Sequence, residues 1–230
     1  MLNNLVIKQL GLTDYTTVLQ LQRRLQADLM RGIDFNTLIL CRHNPIITLG
    51  RRGDTKNILV TNETLKTLGI EVIKIERGGD ITLHTPEQIV CYPIINLEKL
   101  QQRGVHRYIY NLEETVIRTL AAFNINGIRL KDRTGVWLSE SKKISSIGVR
   151  ISKWCTLHGF ALNVKASDKF KLINPCGFND IQMTSISEET DRAVDFSEVE
   201  NLIIKNFLSL FNFTPDTTSQ RGLRDTTKSL

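Results

Sequence analysis

The sequence predicts one α+β domain, with a mixed, largely antiparallel sheet flanked by helices. Three observations carry this expectation. Strand-like and helix-like segments follow one another irregularly, with no internal repeat and no linker to divide the chain. Two strand-like runs, Gly135 to Leu138 and Lys143 to Ile151, are joined by the polar turn Ser139-Glu140-Ser141-Lys142, a hairpin signal. The 230-residue length, with 41% hydrophobic and 23% charged residues, is ordinary for a soluble domain. Such a chain buries roughly 70% of its unfolded surface without disulfide or metal staples.

Leu5 to Leu10 reads as a first strand. Thr13 and Asp14 offer an N-cap to a helix whose apolar face is Val18, Leu21, Leu25 and Leu29, and Gly32 stops it. A packing role is expected for this helix. Thr37 to Cys41 and Ile46 to Leu49 read as strands, the second leading into Gly50-Arg51-Arg52-Gly53. Thr61 to Leu68 fits a short helix closed by Gly69, and Ile70 to Ile75 alternates as a strand. Two glycines directly after that strand, in Arg77-Gly78-Gly79-Asp80, let the backbone approach a ligand closely and expose N–H groups. The apolar run Ile89 to Ile95 is a strand, and Val105 to Phe123 is the longest helix. Its face is Ile109, Leu112, Val116 and Leu120, with Glu113 and Glu114 on the wet side. Strands at Ile128 to Lys131, Gly135 to Leu138, Lys143 to Ile151 and Phe160 to Val164 follow. A last helix is capped by Asp195 or Ser197, with Val199, Leu202, Ile203, Phe207 and Leu210 inward. The domain is expected over 1–213. The polar tail 214–230 lacks the apolar content to pack well.

The net charge is +6, from 30 basic and 24 acidic residues. No basic block marks a nucleic-acid tail, and no apolar run approaches a membrane span. The start, Met-Leu-Asn-Asn-Leu, has no basic segment followed by a long apolar one. Cys41, Cys91, Cys155 and Cys176 form no C-x-x-C pair and no zinc-ligand pattern. Free thiols in a reducing cytoplasm, and no metal or cofactor, are expected. Cys41, Cys91 and Cys155 sit in strand-like runs and read as core.

Cys176 differs. It lies in Asn174-Pro175-Cys176-Gly177, where Pro and Gly mark a turn that lifts the thiol out of regular structure. Lys143, at the head of a strand, and His158 are available to lower its pKa, and a thiol so activated is the raw material of a covalent acyl carrier. Gly78, Gly79 or Gly177 amides are candidates to hold an oxyanion. His84 and His158 either orient a substrate carbonyl or are structural; Lys142 is expected in solvent, Trp137 in packing, and His43 in a structural role.

These segments resemble the octanoyltransferase family, also called lipoate–protein ligase B, of the biotin/lipoate protein ligase superfamily. The chain reads His43-Asn-Pro-Ile-Ile-Thr-Leu-Gly-Arg51, Arg77-Gly-Gly-Asp-Ile-Thr-Leu-His84, Thr134-Gly-Val-Trp137, Lys143-Ile-Ser-Ser-Ile-Gly-Val-Arg150, His158-Gly-Phe-Ala-Leu-Asn163 and Asn174-Pro-Cys-Gly177, in the family's order over roughly residues 35 to 190. The resemblance implies a biotin/lipoate protein ligase-like fold and transfer of an octanoyl group from acyl carrier protein to a lysine of a lipoyl domain, in a 2-oxoacid dehydrogenase or a glycine cleavage H protein. Nucleic acid and membrane are not expected partners, and a monomer is expected.

It also implies site residues. Cys176 carries the acyl thioester. Lys143 lowers the thiol's pKa and later helps deprotonate the incoming amine. The acyl pocket is lined by Arg77, Gly78, Gly79, Asp80, Ile81, Thr82, Leu83 and His84, by Ser146, Ile147 and Gly148, and by Gly159, Phe160 and Ala161. Three rivals stay open: an ATP-dependent lipoate or biotin ligase, octanoyl transfer between lipoyl domains, and a non-catalytic module that binds acylated carriers. One departure stands out. Where the family has Tyr-His-Gly-Pro-Gly-Gln, this chain has Leu83-His84-Thr85-Pro86-Glu87-Gln88. Any positive-φ backbone there would be expensive without the glycines.

Overall fold

The computed structural model describes residues 4–33, 35–100, 104–175 and 181–216. Its strands are β1 (Asn4–Leu12), β2 (Asn36–Arg42), β3 (Ile46–Leu49), β4 (Glu71–Lys74), β5 (Ile81–His84), β6 (Gln88–Ile94), β7 (Ile128–Leu130), β8 (Arg133–Trp137), β9 (Lys142–Ser152), β10 (Cys155–Asn163), β11 (Gln182–Met183) and β12 (Thr214–Pro215). Its helices are α1 (Tyr15–Arg31), α2 (Asn62–Thr67), α3 (Val105–Ala121), α4 (Ile186–Thr190) and α5 (Phe196–Phe211). The main sheet runs β12-β1-β2-β6-β10-β9-β8-β7, with β11 alongside β9. Its pairs from β2 through β7 are antiparallel, whereas β1 is parallel to β2 and β12 and β11 is parallel to β9. The expected mixed, largely antiparallel α+β domain is therefore the fold observed.

Local chemistry sets the element ends. Asp14 caps α1 by accepting from the Thr17 amide, and Gly32 ends it at φ 74°, a left-handed position that glycine adopts without penalty. Asp195 caps α5 in the same way through the Ser197 amide. The period of two along the central strands then builds two cores. Leu38, Leu40, Ile89, Cys91, Phe160 and Leu162 face α3 and α5, while Ile39, Cys41, Val90, Tyr92, Leu157 and Ala161 face α1.

The structure departs from the sequence reading in three places. Residues 81–84, read only as part of the Arg77-to-His84 motif and given no strand, form β5, which with β3 and β4 makes a separate three-stranded sheet in the order β4-β3-β5. Ile47, Leu65, Leu83 and Ile173 fill its own small core. Glu113, expected in solvent, is buried at 8% exposure. The β7–β8 hairpin packs over that flank of α3 and supplies hydrogen-bond partners from Arg129 and the Gly135 amide, which helical periodicity cannot reveal. The Lys142 ammonium, also expected in solvent, pairs with Glu189 at 2.8 Å.

Thr214 and Pro215 pair with β1; residues 217–230, and with them most of the expected tail, lie outside the described residues. Among the described residues no helix is long and apolar enough to cross a membrane.

Candidate functional site

A cavity of about 580 Å³ opens between the main sheet and the small one. One wall is the 77–82 segment with His84, another is Ser146, Ile147 and Gly148 of β9, and a third is Gly159, Phe160 and Ala161 of β10. Lys143 also lines it. The sheet register explains the meeting of these distant motifs: Gly159 pairs with Gly148, Phe160 with Ile147 and Ala161 with Ser146. Leu83 is the one described candidate that does not reach the cavity. It is fully buried in the small sheet's core, because alternation along β5 turns it away from its neighbours Thr82 and His84.

The Arg77–Asp80 loop is held from several sides. The Arg77 guanidinium donates through Nη2 to the Thr48 carbonyl at 2.7 Å and through Nε to Thr48 Oγ1 at 3.2 Å. Asp80 accepts from the Asp54 amide and from Asn57 Nδ2, at 3.1 and 3.0 Å. Arg77 and Asp80 thus shape the cavity by fixing its backbone. A Cβ at Gly50 would fall 2.4 Å from the Gly79 carbonyl oxygen, so the approach of this loop to the end of β3 requires glycine. The Gly78 amide donates to the Val149 carbonyl at 2.9 Å. It is thereby committed to the sheet, which removes it from the oxyanion donors considered above. Gly177 lies outside the described residues.

The imidazoles separate into bonded and unbonded ones. His43 Nδ1 donates to the Thr13 carbonyl at 2.8 Å, which leaves Nε2 to accept from the Tyr92 hydroxyl at 2.9 Å; the expected structural role is the one observed. His84 Nδ1 donates to Gln88 Oε1 at 3.3 Å. Gln88 in turn donates to Asn163 Oδ1 and Asn163 to the Thr184 carbonyl, each at 2.8 Å. His158 lines the cavity at 2% exposure, and neither ring nitrogen has a hydrogen-bond partner among the described residues. Its φ of 61°, inside a strand, is a backbone position that non-glycine residues rarely take; the side chain of Gln22 secures it by accepting from the His158 amide at 3.2 Å. Burial pushes the His158 pKa down to about 4, and holds those of His43 and His84 below the usual imidazole range. At neutral pH all three rings are uncharged, which suits a wall for an apolar guest.

Thr85 and Glu87, where the family pattern has glycine, keep ordinary negative φ angles, so the anticipated strain is absent. The Glu87 carbonyl instead accepts from the Val164 and Lys165 amides.

Lys143 is 1% exposed. Its Nζ donates to the Thr134 carbonyl at 3.2 Å and sits 4.7 Å from the centre of the Trp137 ring, a cation–π contact. Trp137 therefore does more than pack. Cys176 lies in the segment 176–180, outside the described residues, but both flanks of that segment are tied down. Asn174 donates to the Asn57 carbonyl at 2.8 Å, Gln182 and Met183 pair with Lys142 and Lys143, and Thr184 donates to the Lys143 carbonyl at 2.9 Å. Cys41, Cys91 and Cys155 are buried, as expected of core thiols.

Sequence reasoning missed several lining residues. Tyr15, on the helix read as packing alone, lines the cavity and stacks on His84 at 5.8 Å between centroids. Arg52, Tyr92, Ile109, Arg133 and Thr134 line it too. The Thr134-Gly-Val-Trp137 motif was the available signal for the last of these; nothing local marks the others.

The lipoyl protein ligase A/B catalytic domain family matches residues 14–208. An octanoyltransferase of Koribacter versatilis is 43% identical over 209 residues, covering 89% of this chain and 83% of the relative. An octanoyltransferase of Bacteroides fragilis strain YCH46 is 45% identical over 179 residues, covering 76% and 80%. Among solved structures, lipoate-protein ligase A bound with ATP superposes with a TM-score of 0.72 at 17% identity, over 94% of this chain and 89% of that one.

Proposed function

The chain belongs to the lipoyl protein ligase A/B catalytic domain family and, within it, to the octanoyltransferases, and on that premise we propose that it carries an octanoyl group from acyl carrier protein, through a thioester on Cys176, to a lysine of a lipoyl domain. The observation that carries the reading is the seating of Lys143. Lys143 is buried and lines the cavity, and the residues that follow the Cys176 segment, Gln182 to Thr184, are bonded to the start of β9, which carries this lysine.

A free thiol has a pKa near 8.5, so only a few per cent is thiolate at neutral pH. A neighbouring ammonium favours the thiolate, and a shift of ~2 units corresponds to about 2.7 kcal/mol. The Cys176 thiolate attacks the carrier thioester carbonyl, the bond from that carbonyl to the carrier sulfur breaks, and the Lys143 ammonium gives its proton to the departing carrier thiolate. The amine of the acceptor lysine then attacks the Cys176 thioester, forming the amide and releasing Cys176, while Lys143 in its neutral form takes the amine's proton. Thioester exchange is nearly balanced and aminolysis is downhill, so ATP is not required. The cavity walls hold the chain: burying the seven carbons beyond the carbonyl contributes roughly 5–6 kcal/mol at ~0.8 kcal/mol each. A net charge of +6 favours encounter with acidic carrier and lipoyl domains, and a reducing cytoplasm keeps the thiol available.

Intact-mass spectrometry after incubation with octanoyl carrier protein tests the reading. The expected result is one added octanoyl group, lost on supplying a lipoyl domain and absent in Cys176→Ala. A folded protein that binds the donor and gains no mass would refute it.

A further inference from the structure

We propose that Glu113 is a positioning residue of the acyl-transfer site, clamping the Gly135 amide so that the Thr134–Gly135 peptide stays fixed as the seat of Lys143. The inference rests on the Cys176/Lys143 reading above and extends it to a third side chain, on a different element.

The Lys143 side chain lies directly over Gly135. A Cβ there would fall 2.9 Å from Lys143 Cε and 3.2 Å from Nζ. The Thr134 carbonyl accepts from the same Nζ at 3.2 Å. This seat is made of glycine backbone at φ +127°, a conformation that only glycine takes readily and that glycine by itself does not hold. Nor does the sheet hold it: the β8–β9 ladder pairs Val136 with Ser145 and Trp137 with Lys143, shifts register between them, and includes no Gly135 pair.

Glu113 supplies the missing constraint. Its Oε1 accepts from the buried Gly135 amide at 3.0 Å. A carboxylate at 8% exposure is costly to bury without partners. Yet the ion pair it makes, Oε2 with Arg129 Nε at 3.2 Å, duplicates one that Arg129 already has with Glu114 at 2.7 Å. Arg129 also stacks on the Tyr110 ring at 3.8 Å. The helix-to-hairpin tie is therefore served without Glu113, whereas the Gly135 clamp is not. Burial raises the Glu113 pKa while Gly135, Arg129 and Lys143 pull it back, in keeping with a carboxylate whose surroundings include the site lysine.

Two near-isosteric substitutions separate a clamp from a charge and from a purely structural tie. Glu113→Gln keeps the reach to the Gly135 amide and loses the charge; Glu113→Asp keeps the charge and falls short by one methylene. Rates of Cys176 acylation by octanoyl carrier protein, and of steady-state transfer, are measured per folded molecule on the full chain, with thermal midpoints alongside. The clamp predicts that Gln rescues, retaining a kcat within about threefold of the parent. It predicts that Asp loses roughly 10- to 100-fold in kcat with little change in KM for the donor. The opposite order, with Asp active and Gln slow, overturns the inference in favour of charge. Midpoints that fall with both rates intact reduce Glu113 to a structural tie and overturn it as well. If Asp does not fold, Gln alone decides, because a tenfold loss in a folded Gln variant is incompatible with a clamp. A parent chain that gains no octanoyl group defeats the function reading itself, a result distinct from a normal parent with a flat or reversed Gln/Asp order.

Discussion

Substituting Gly135 by alanine probes the seat of Lys143 directly. The added methyl would meet the Ser145 carbonyl oxygen at 2.6 Å, Lys143 Cε at 2.9 Å and Lys143 Nζ at 3.2 Å. The Ser145 oxygen belongs to the neighbouring strand and cannot swing away. The φ of +127° adds a backbone cost of roughly 1–3 kcal/mol for a residue with a Cβ, and overpacking adds about 1–3 kcal/mol more. Together they predict a loss of roughly 2–6 kcal/mol. Against a typical 5–15 kcal/mol of stability this leaves a folded variant over most of the range, with a midpoint about 4–24 °C lower for a domain of this size. Lys143 Cε must also retreat by about half an ångström or more to reach ordinary contact, a misplacement of the kind that costs up to ~100-fold in rate. Thermal melts followed by circular dichroism, with single-turnover acylation well below the midpoint, measure both effects. An alanine variant that melts within about 2 °C of the parent and acylates at the parental rate would refute the packing argument.

Two further outcomes follow from the site. His158 has a folded pKa of about 4 against 6.5 for an unperturbed imidazole, so between these values the unfolded chain binds more protons. Stability is then full above pH 6.5 and falls with pH, by about 2 kcal/mol at pH 5 from His158 alone; urea melts at pH 7.5 and 5 should show this, and His158→Phe should reduce the difference, with His43 and His84 supplying what remains. An unchanged midpoint in the parent would contradict the burial of that ring. Gly159→Ala would place a methyl 2.0 Å from the Cys91 carbonyl oxygen and 2.8 Å from Pro93 Cδ, inside the β6–β10 ladder. A destabilisation of about 3 kcal/mol or more is expected, and a variant with an unaltered denaturant midpoint would show that the two strands can part at little cost.

Much of the fold was legible because its signals are local. Asp14, Gly32 and Asp195 end their helices through hydrogen bonds and backbone angles within a few residues, and those ends fall where the sequence puts them. Continuous apolar runs in β2, β6 and β10 identified strands buried on both faces. Two sheet-level features were not legible. Residues 81–84 pair with β3 to build a second sheet, and nothing in that tetrapeptide names its partner. Glu113 sits on a helix flank that periodicity assigns to solvent until a hairpin from later in the chain covers it.

The candidate site divides along the same line. Its motifs and the likeness they carry were readable residue by residue, and family membership follows from the family match over residues 14–208 and from a relative 43% identical over 89% of the chain. The register that sets Gly159 beside Gly148 was not readable, nor was the turn of Leu83 away from the cavity, nor the placement of Tyr15 against His84. The sequence by itself determined the chemistry on offer: a thiol between a proline and a glycine, a lysine near the start of a strand, and glycine-rich segments. Only the tertiary structure decided that the Gly78 amide is spent on Val149, that the buried His158 ring has no hydrogen-bond partner among the described residues, and that Lys143 rests on Gly135 beneath the reach of Glu113. The physical reason is that side-chain identity and local backbone preference are properties of neighbours in the chain. Desolvation, hydrogen-bond commitment and steric clearance are properties of neighbours in space.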